Sequence, residues 1–131
     1  MLLTIDKYIG SRYNKYIEWR YIVKRNIFKE AFMQNPPLTE AVYYILLSLI
    51  TPMHGYGIMQ NAEALSHGRV RLAAGTLYGA LNTLVEKGFI ISLPEENGRK
   101  KEYVITELGK KALLAEMDRL SELLENGNKI L

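Results

Sequence analysis

LAAGTLYGALNTLVEKGFIISLPEENGRKK, residues 72–101, reads as a helix, a strand, a tight turn and a basic tip. The helix is expected to begin near Gly75 and Thr76, with Leu77, Leu81, Leu84 and Val85 as an inward stripe at i, i+4, i+7 and i+8. Lys87 and Gly88 close it, a cation near the end of the helix and a glycine at the position that turns left-handed. Residues 89–93 are then β-rich, residues 101–105 are the natural antiparallel partner, and Asn97 followed by Gly98 is a favoured tight turn between them. On strict alternation Phe89, Ile91 and Leu93 share the face that meets Tyr103 and Ile105. A short helix followed by a small basic hairpin is the order of a winged helix-turn-helix, in which the helix enters a DNA groove and the hairpin rides the adjacent backbone.

The segments before this stretch supply the other helices. Pro36 and Pro37 mark a boundary, because proline forces its predecessor out of the helical region. Thr39 is then a candidate N-cap for a helix over residues 38–50, with Val42, Ile45, Leu46, Leu49 and Ile50 at helical spacing and Glu40 in the first turn. Apolar nearly all round, this helix is expected to be buried on more than one side. His54, Gly55, Tyr56 and Gly57 open the next helix, which runs to about residue 65, and close packing is the expected reason for Gly57 in a first turn. Arg69, Val70, Arg71 and Leu72 alternate charge and apolarity, which predicts a very short strand or extended leg paired with the wing.

After the wing, Thr106 is a second candidate N-cap, and Leu113, Met117, Leu120 and Leu124 step by 4, 3 and 4, the spacing of a coiled-coil seam. Little of its own domain is left for such a helix, so a second subunit is its economical partner. The fold class is therefore mainly α with a small β-hairpin, and three segments are expected. Residues 1–35 form an aromatic and basic extension, 36–105 a winged-helix DNA-binding domain, and 106–131 a dimerisation helix.

Charge has to be read locally. The 131 residues carry a formal net charge of +3, but residues 1–35 hold seven Lys/Arg against three Asp/Glu, leaving the remainder slightly negative. Residues 69–101, in contrast, gather Arg69, Arg71, Lys87, Arg99, Lys100 and Lys101 against Glu86, Glu95 and Glu96. Residues 1–35 also hold seven of the thirteen aromatic side chains. Three readings of them compete: a helix over 12–33 that caps or swaps onto a dimer, a basic arm that tracks phosphates, or a segment outside the native unit, with Met33 a candidate start of translation.

Other function classes fare poorly. No cysteine is present, and His54 and His67 are the only histidines, so a metal cage would depend on carboxylates and His54 is better placed to support its turn. No nucleotide fingerprint or histidine–carboxylate pair suggests an enzyme, and no cofactor or metal is expected. The longest apolar run, residues 41–50, is too short to span a bilayer and no secretory signal is visible, which makes the cytoplasm the expected location without a membrane partner.

LTEAVYYILLSL, HGYGIMQ, GTLYGALNTLVEKGFI and GRKKEYVITELGKKAL, in that order over residues 38–124, resemble the PadR-like family of bacterial winged-helix transcriptional regulators, in its short subgroup with a single C-terminal helix. The resemblance implies a homodimer on a double-stranded, dyad-symmetric operator, usually repressing until a small aromatic or drug-like molecule loosens it. Residues 1–35 have no counterpart in that pattern.

The candidate DNA-binding residues are Thr76, Tyr78 and Asn82 on the helix and Arg99, Lys100 and Lys101 on the wing; Leu113, Met117, Leu120 and Leu124 are the candidate dimer residues. Hydroxyls at a helix N-terminus suit phosphate or base edges, an Asn one turn on suits adenine, and wing cations suit phosphate. Against these stand plainer roles: Tyr78 packed on the wing, Thr76 as a cap, Asn82 merely solvated, and the wing cations guarding a hairpin edge. Gly75 and Gly79 leave room for a backbone beside Tyr78. Met117, with Tyr43 and Tyr44, would face an apolar effector if a gap exists at the dimer axis. A second function class remains open, a winged-helix protein–protein module without DNA binding, favoured by Glu95 and Glu96 beside the wing because they oppose phosphate.

Overall fold

Thr39 caps the first helix as its sequence predicts, its hydroxyl accepting from Val42 N at 3.2 Å, and Glu40 occupies the first turn. The computed structural model describes residues 36–131 apart from Asn97 and Arg99, so the readings of residues 1–35 lie outside the described residues. Among these, four helices and a three-stranded antiparallel sheet follow in the order α1 (Glu40–Ser48), β1 (Met53–His54), α2 (Gly55–Leu65), α3 (Ala74–Glu86), β2 (Ile90–Ser92), β3 (Glu102–Ile105) and α4 (Glu107–Ile130). Pro37–Leu131 forms one unit, α4 included.

Its core gathers Ile45, Leu46 and Leu49 from the first helix and its end, Ile58 from α2, Leu77, Leu81 and Leu84 from α3, and Phe89, Ile90, Tyr103 and Ile105 around the sheet. Helix α1 is buried or half-buried at every position from Ala41 to Ser48, as its apolarity requires. The one polar side chain buried on it, Ser48, is satisfied twice, donating to Tyr44 O at 2.7 Å and accepting from Asn61 Nδ2 at 2.9 Å. The bond from Asn61 ties α1 to α2.

Two corrections concern the sheet. Its third strand is Met53–His54, paired with Tyr103 and Glu102 in the order β1-β3-β2, and residues 69–72 contribute no strand. The alternation there reflects ion pairing instead, since Arg69 meets Glu40 at 2.5 Å and Arg71 meets Glu63 at 3.2 Å. The wing strand is also out of phase with strict alternation from Phe89. Ile90 is fully buried opposite Ile105, whereas Ile91 is exposed opposite Val104.

The cause of that slip is the end of α3. Phe89 N donates to Leu84 O and Gly88 N to Val85 O, both at 3.0 Å, with Gly88 at φ 76°, which is a Schellman cap. Phe89 thus enters the core as the cap's hydrophobic residue, and the strand's alternation starts one residue later.

Helix α4 is fastened where α3 ends and β2 begins. Thr106 Oγ1 accepts from Gly109 N at 3.1 Å as an N-cap and donates to Gly88 O at 2.6 Å, while Thr106 N donates to Phe89 O at 2.9 Å. On the other side Ile105 N donates to Leu49 O at 2.9 Å, tying the sheet to the end of α1. The first half of α4 therefore does have its own domain to pack on: Ala112 and Leu113 lie in the core. Further along, buried Glu116 accepts from Leu38 N and from Arg119 Nε, so its charge is satisfied inside the unit.

Candidate nucleic-acid interface

Helix α3 buries Leu77, Leu81 and Leu84 and turns its other side outward. Val85, expected in the inward stripe, is 39% exposed, because at eight residues from Leu77 it stands roughly 80° round the helix from it. The N-cap is Ala73, with no side-chain cap bond, which makes Thr76 the third helical residue and not the cap. Thr76 and Asn82 are exposed, and Tyr78 is 47% exposed.

Tyr78 packs on α2. Its phenol end lies over Gly55 at the start of α2, so close that a Cβ built on Gly55 would fall 2.6 Å from Tyr78 Oη. Gly57, one of the positions singled out in the sequence, has a different neighbourhood: a Cβ there would meet Met53 Cγ at 2.9 Å and the His54 ring at 3.0 Å. Gly75 and Gly79, flanking Tyr78 on α3, face open space, with nothing within 4 Å of an added Cβ.

The wing root lies next to the same spot, because His54 pairs with Glu102, the residue after Lys101. Leu93 N continues the ladder to Glu102 O at 2.8 Å, and Gly98 at φ 71° turns the tip. Lys100 and Lys101 are exposed, and the Lys101 ammonium stands 5.7 Å from the Tyr103 ring centroid, a cation–π contact that steadies its stem. Arg99 lies outside the described residues. Glu95 and Glu96 are exposed on the other limb of the hairpin.

The local charge is smaller than the sequence count suggests. Arg69 and Arg71 are held by Glu40 and Glu63, and the hydrogen bond and charge of Glu40 raise the pKa of Arg69. These two arginines brace the turn between α2 and α3, together with Ser66, which accepts from Val70 N at 2.9 Å. Among the described residues of this stretch, Lys87, Lys100 and Lys101 remain as cations beside α3 and on the wing.

The four candidate dimer residues divide. Leu113 is only 4% exposed and belongs to the core of its own unit, and Met117 is half-buried, whereas Leu120 and Leu124 are 43% and 66% exposed. Among the described residues no group of three or more His, Cys, Asp or Glu side chains is placed to hold a metal ion, and no helix is long and apolar enough to cross a membrane.

A family model described as the transcriptional regulator PadR-like family matches residues 45–115, from the middle of α1 through the wing to the first half of α4. The chain belongs to this family. Among solved structures, a transcriptional regulator from Clostridium thermocellum is similar at 24% identity and a TM-score of 0.59, over 70% of this chain and 89% of that one. A PadR family transcriptional regulator from Eggerthella lenta is similar at 22% identity and a TM-score of 0.58, over 87% and 96%. Those identities speak to the fold. A curated relative, the uncharacterized 37.1 kDa protein in transposon TN4556 of Streptomyces fradiae, is 38% identical over 72 residues, which are 55% of this chain but only 20% of that protein. This PadR-like chain thus spans about a fifth of the curated relative it matches.

Gly55 is the residue that sequence reasoning missed. The sequence signal for it is the doubled glycine of HGYG, where a close approach falls at Gly55 as well as at Gly57.

Proposed function

We propose that this PadR-like regulator binds a dyad-symmetric DNA operator as a homodimer and represses transcription in the cytoplasm, with α3 in the major groove and the wing on the flanking backbone. The observation that carries the reading is the outward face of α3, where Thr76, Tyr78 and Asn82 stand clear of a core already filled by Leu77, Leu81 and Leu84. In this assignment Thr76 and Tyr78 contact phosphate or base edges, Asn82 reaches a base, and Arg99, Lys100 and Lys101 contact phosphates. Residues 36–105 act as the reader and 106–131 as the joining helix, with Met117, Leu120 and Leu124 at the joint. A small aromatic effector belongs to the same reading. Tyr43 and Tyr44, edge to face at 5.8 Å between centroids on α1, and Met117 on α4 are the half-buried residues it would meet.

Fluorescence anisotropy against the duplex upstream of its own gene tests the assignment. Tyr78→Ala is expected to weaken specific binding about tenfold, in the range of one well-made contact. Replacing Arg99, Lys100 and Lys101 together by alanine is expected to weaken binding to all duplexes alike and to flatten the plot of log K against log salt by about two to three units. Specific binding that ignores both sets of changes would remove these residues from the interface. Capture of a protein partner that survives nuclease treatment, without any duplex binding, would favour the protein–protein module that exposed Glu95 and Glu96 suggest.

A further inference from the structure

Gly55 is buried at the first position of α2, and its backbone is not in the left-handed region where glycine is favoured. Conformational need therefore does not explain it; space does. A Cβ at this position would lie 2.6 Å from Tyr78 Oη, 3.0 Å from Tyr78 Cζ and 3.4 Å from Leu77 Cδ2, so the phenol end occupies the volume that any other side chain would fill. Met53 and His54, immediately before it, are paired with Tyr103 and Glu102 of β3, the strand that follows Lys100 and Lys101 out of the wing. The seat under Tyr78 is thereby part of the same hydrogen-bonded frame as the wing root.

The geometry points to Gly55 as the positioning residue for Tyr78: by carrying no side chain it seats the phenol against α2 and fixes the hydroxyl relative to the wing cations. This rests on the DNA reading of Tyr78. A tyrosine that is 47% exposed on a helix surface has several rotamers open to it, and a seat selects one before DNA arrives. Filling the seat with a single methyl displaces the ring, which as the far end of a flexible side chain swings outward without disturbing the core.

A double-mutant cycle in the full chain tests this, with anisotropy against the promoter duplex as readout. Gly55→Ala is expected to weaken operator binding about tenfold, and less than about twofold further when Tyr78→Ala is already present, because the two act through one ring. Gly57→Ala, whose new methyl meets Met53 and His54, is expected to have the same effect in both backgrounds. In the DNA-free native chain a nuclear Overhauser contact between the Gly55 α-protons and the Tyr78 ring is expected, and Gly55→Ala is expected to abolish it. Equal losses from Gly55→Ala with and without Tyr78, or no loss at all, overturn the inference while leaving the Tyr78 reading standing, and so does absence of the Overhauser contact. Unchanged affinity in Tyr78→Ala alone overturns that reading and the inference with it.

Discussion

Gly109→Ala is expected to lower the stability of the Pro37–Leu131 unit by about 3 kcal/mol, read as a fall of roughly 15 °C in melting temperature and a matching drop in the urea midpoint. Helix propensity alone predicts the opposite sign, since alanine is favoured over glycine inside a helix by about 0.5–1 kcal/mol. The neighbourhood decides. A Cβ on Gly109 would fall 2.1 Å from Phe89 O and 2.7 Å from Ile105 Cγ1. The carbonyl cannot retreat, because it accepts from Thr106 N at 2.9 Å, and the amide of the same residue closes the cap of α3. The same substitution at Gly75 or Gly79, also helical but facing open space, is expected to raise stability by about 0.5–1 kcal/mol each. A Gly109→Ala chain as stable as the native one would mean that α4 does not approach Phe89 so closely.

The second large effect is expected from Leu120→Lys with Leu124→Lys. Both leucines are exposed beyond the part of α4 that packs on its own unit, so two ammonium groups there leave the fold intact. Placed at an apolar joint between two copies, they prevent it from forming. Sedimentation is expected to give a monomer, and operator affinity to fall about a hundredfold or more as the second half-site contact ceases to be intramolecular. A dimer that persists would place the joint elsewhere. Leu113 is no substitute as a test site, since its replacement would damage the core in any case.

Helix order, the two threonine caps and the glycine ending α3 were legible because each has a local chemical cause: a hydroxyl that satisfies an orphan amide, or a backbone only glycine adopts readily. The phase of the wing was not, because Phe89 belongs to a cap whose geometry displaces the start of the strand. The third strand escaped because two residues carry no period, and its pairing with β3 spans 48 positions of chain. Arg69 and Arg71 looked like reader charges for a related reason. Their acids lie on α1 and α2, and nothing in the chain order announces that the turn brings them together. For the candidate site, the outward position of Thr76, Tyr78 and Asn82 follows from helical periodicity once Leu77, Leu81 and Leu84 are assigned to the core. The place of the Tyr78 ring over Gly55 does not, since it depends on how two helices meet.

For the proposed dimer, the clasp at Thr106 bears on operator choice. A 24-residue helix is about 36 Å long, and one rooted at Gly88 O and Phe89 O starts from the foot of α3 itself. A tilt of about ten degrees at that root would carry the far end through about 6 Å, close to two base-pair steps along a duplex. With its root held by three hydrogen bonds at Thr106, α4 in the proposed dimer would act as one arm of a pair of calipers set to one opening, and inserting a single base pair between half-sites is expected to be felt as strongly as changing a contacted base.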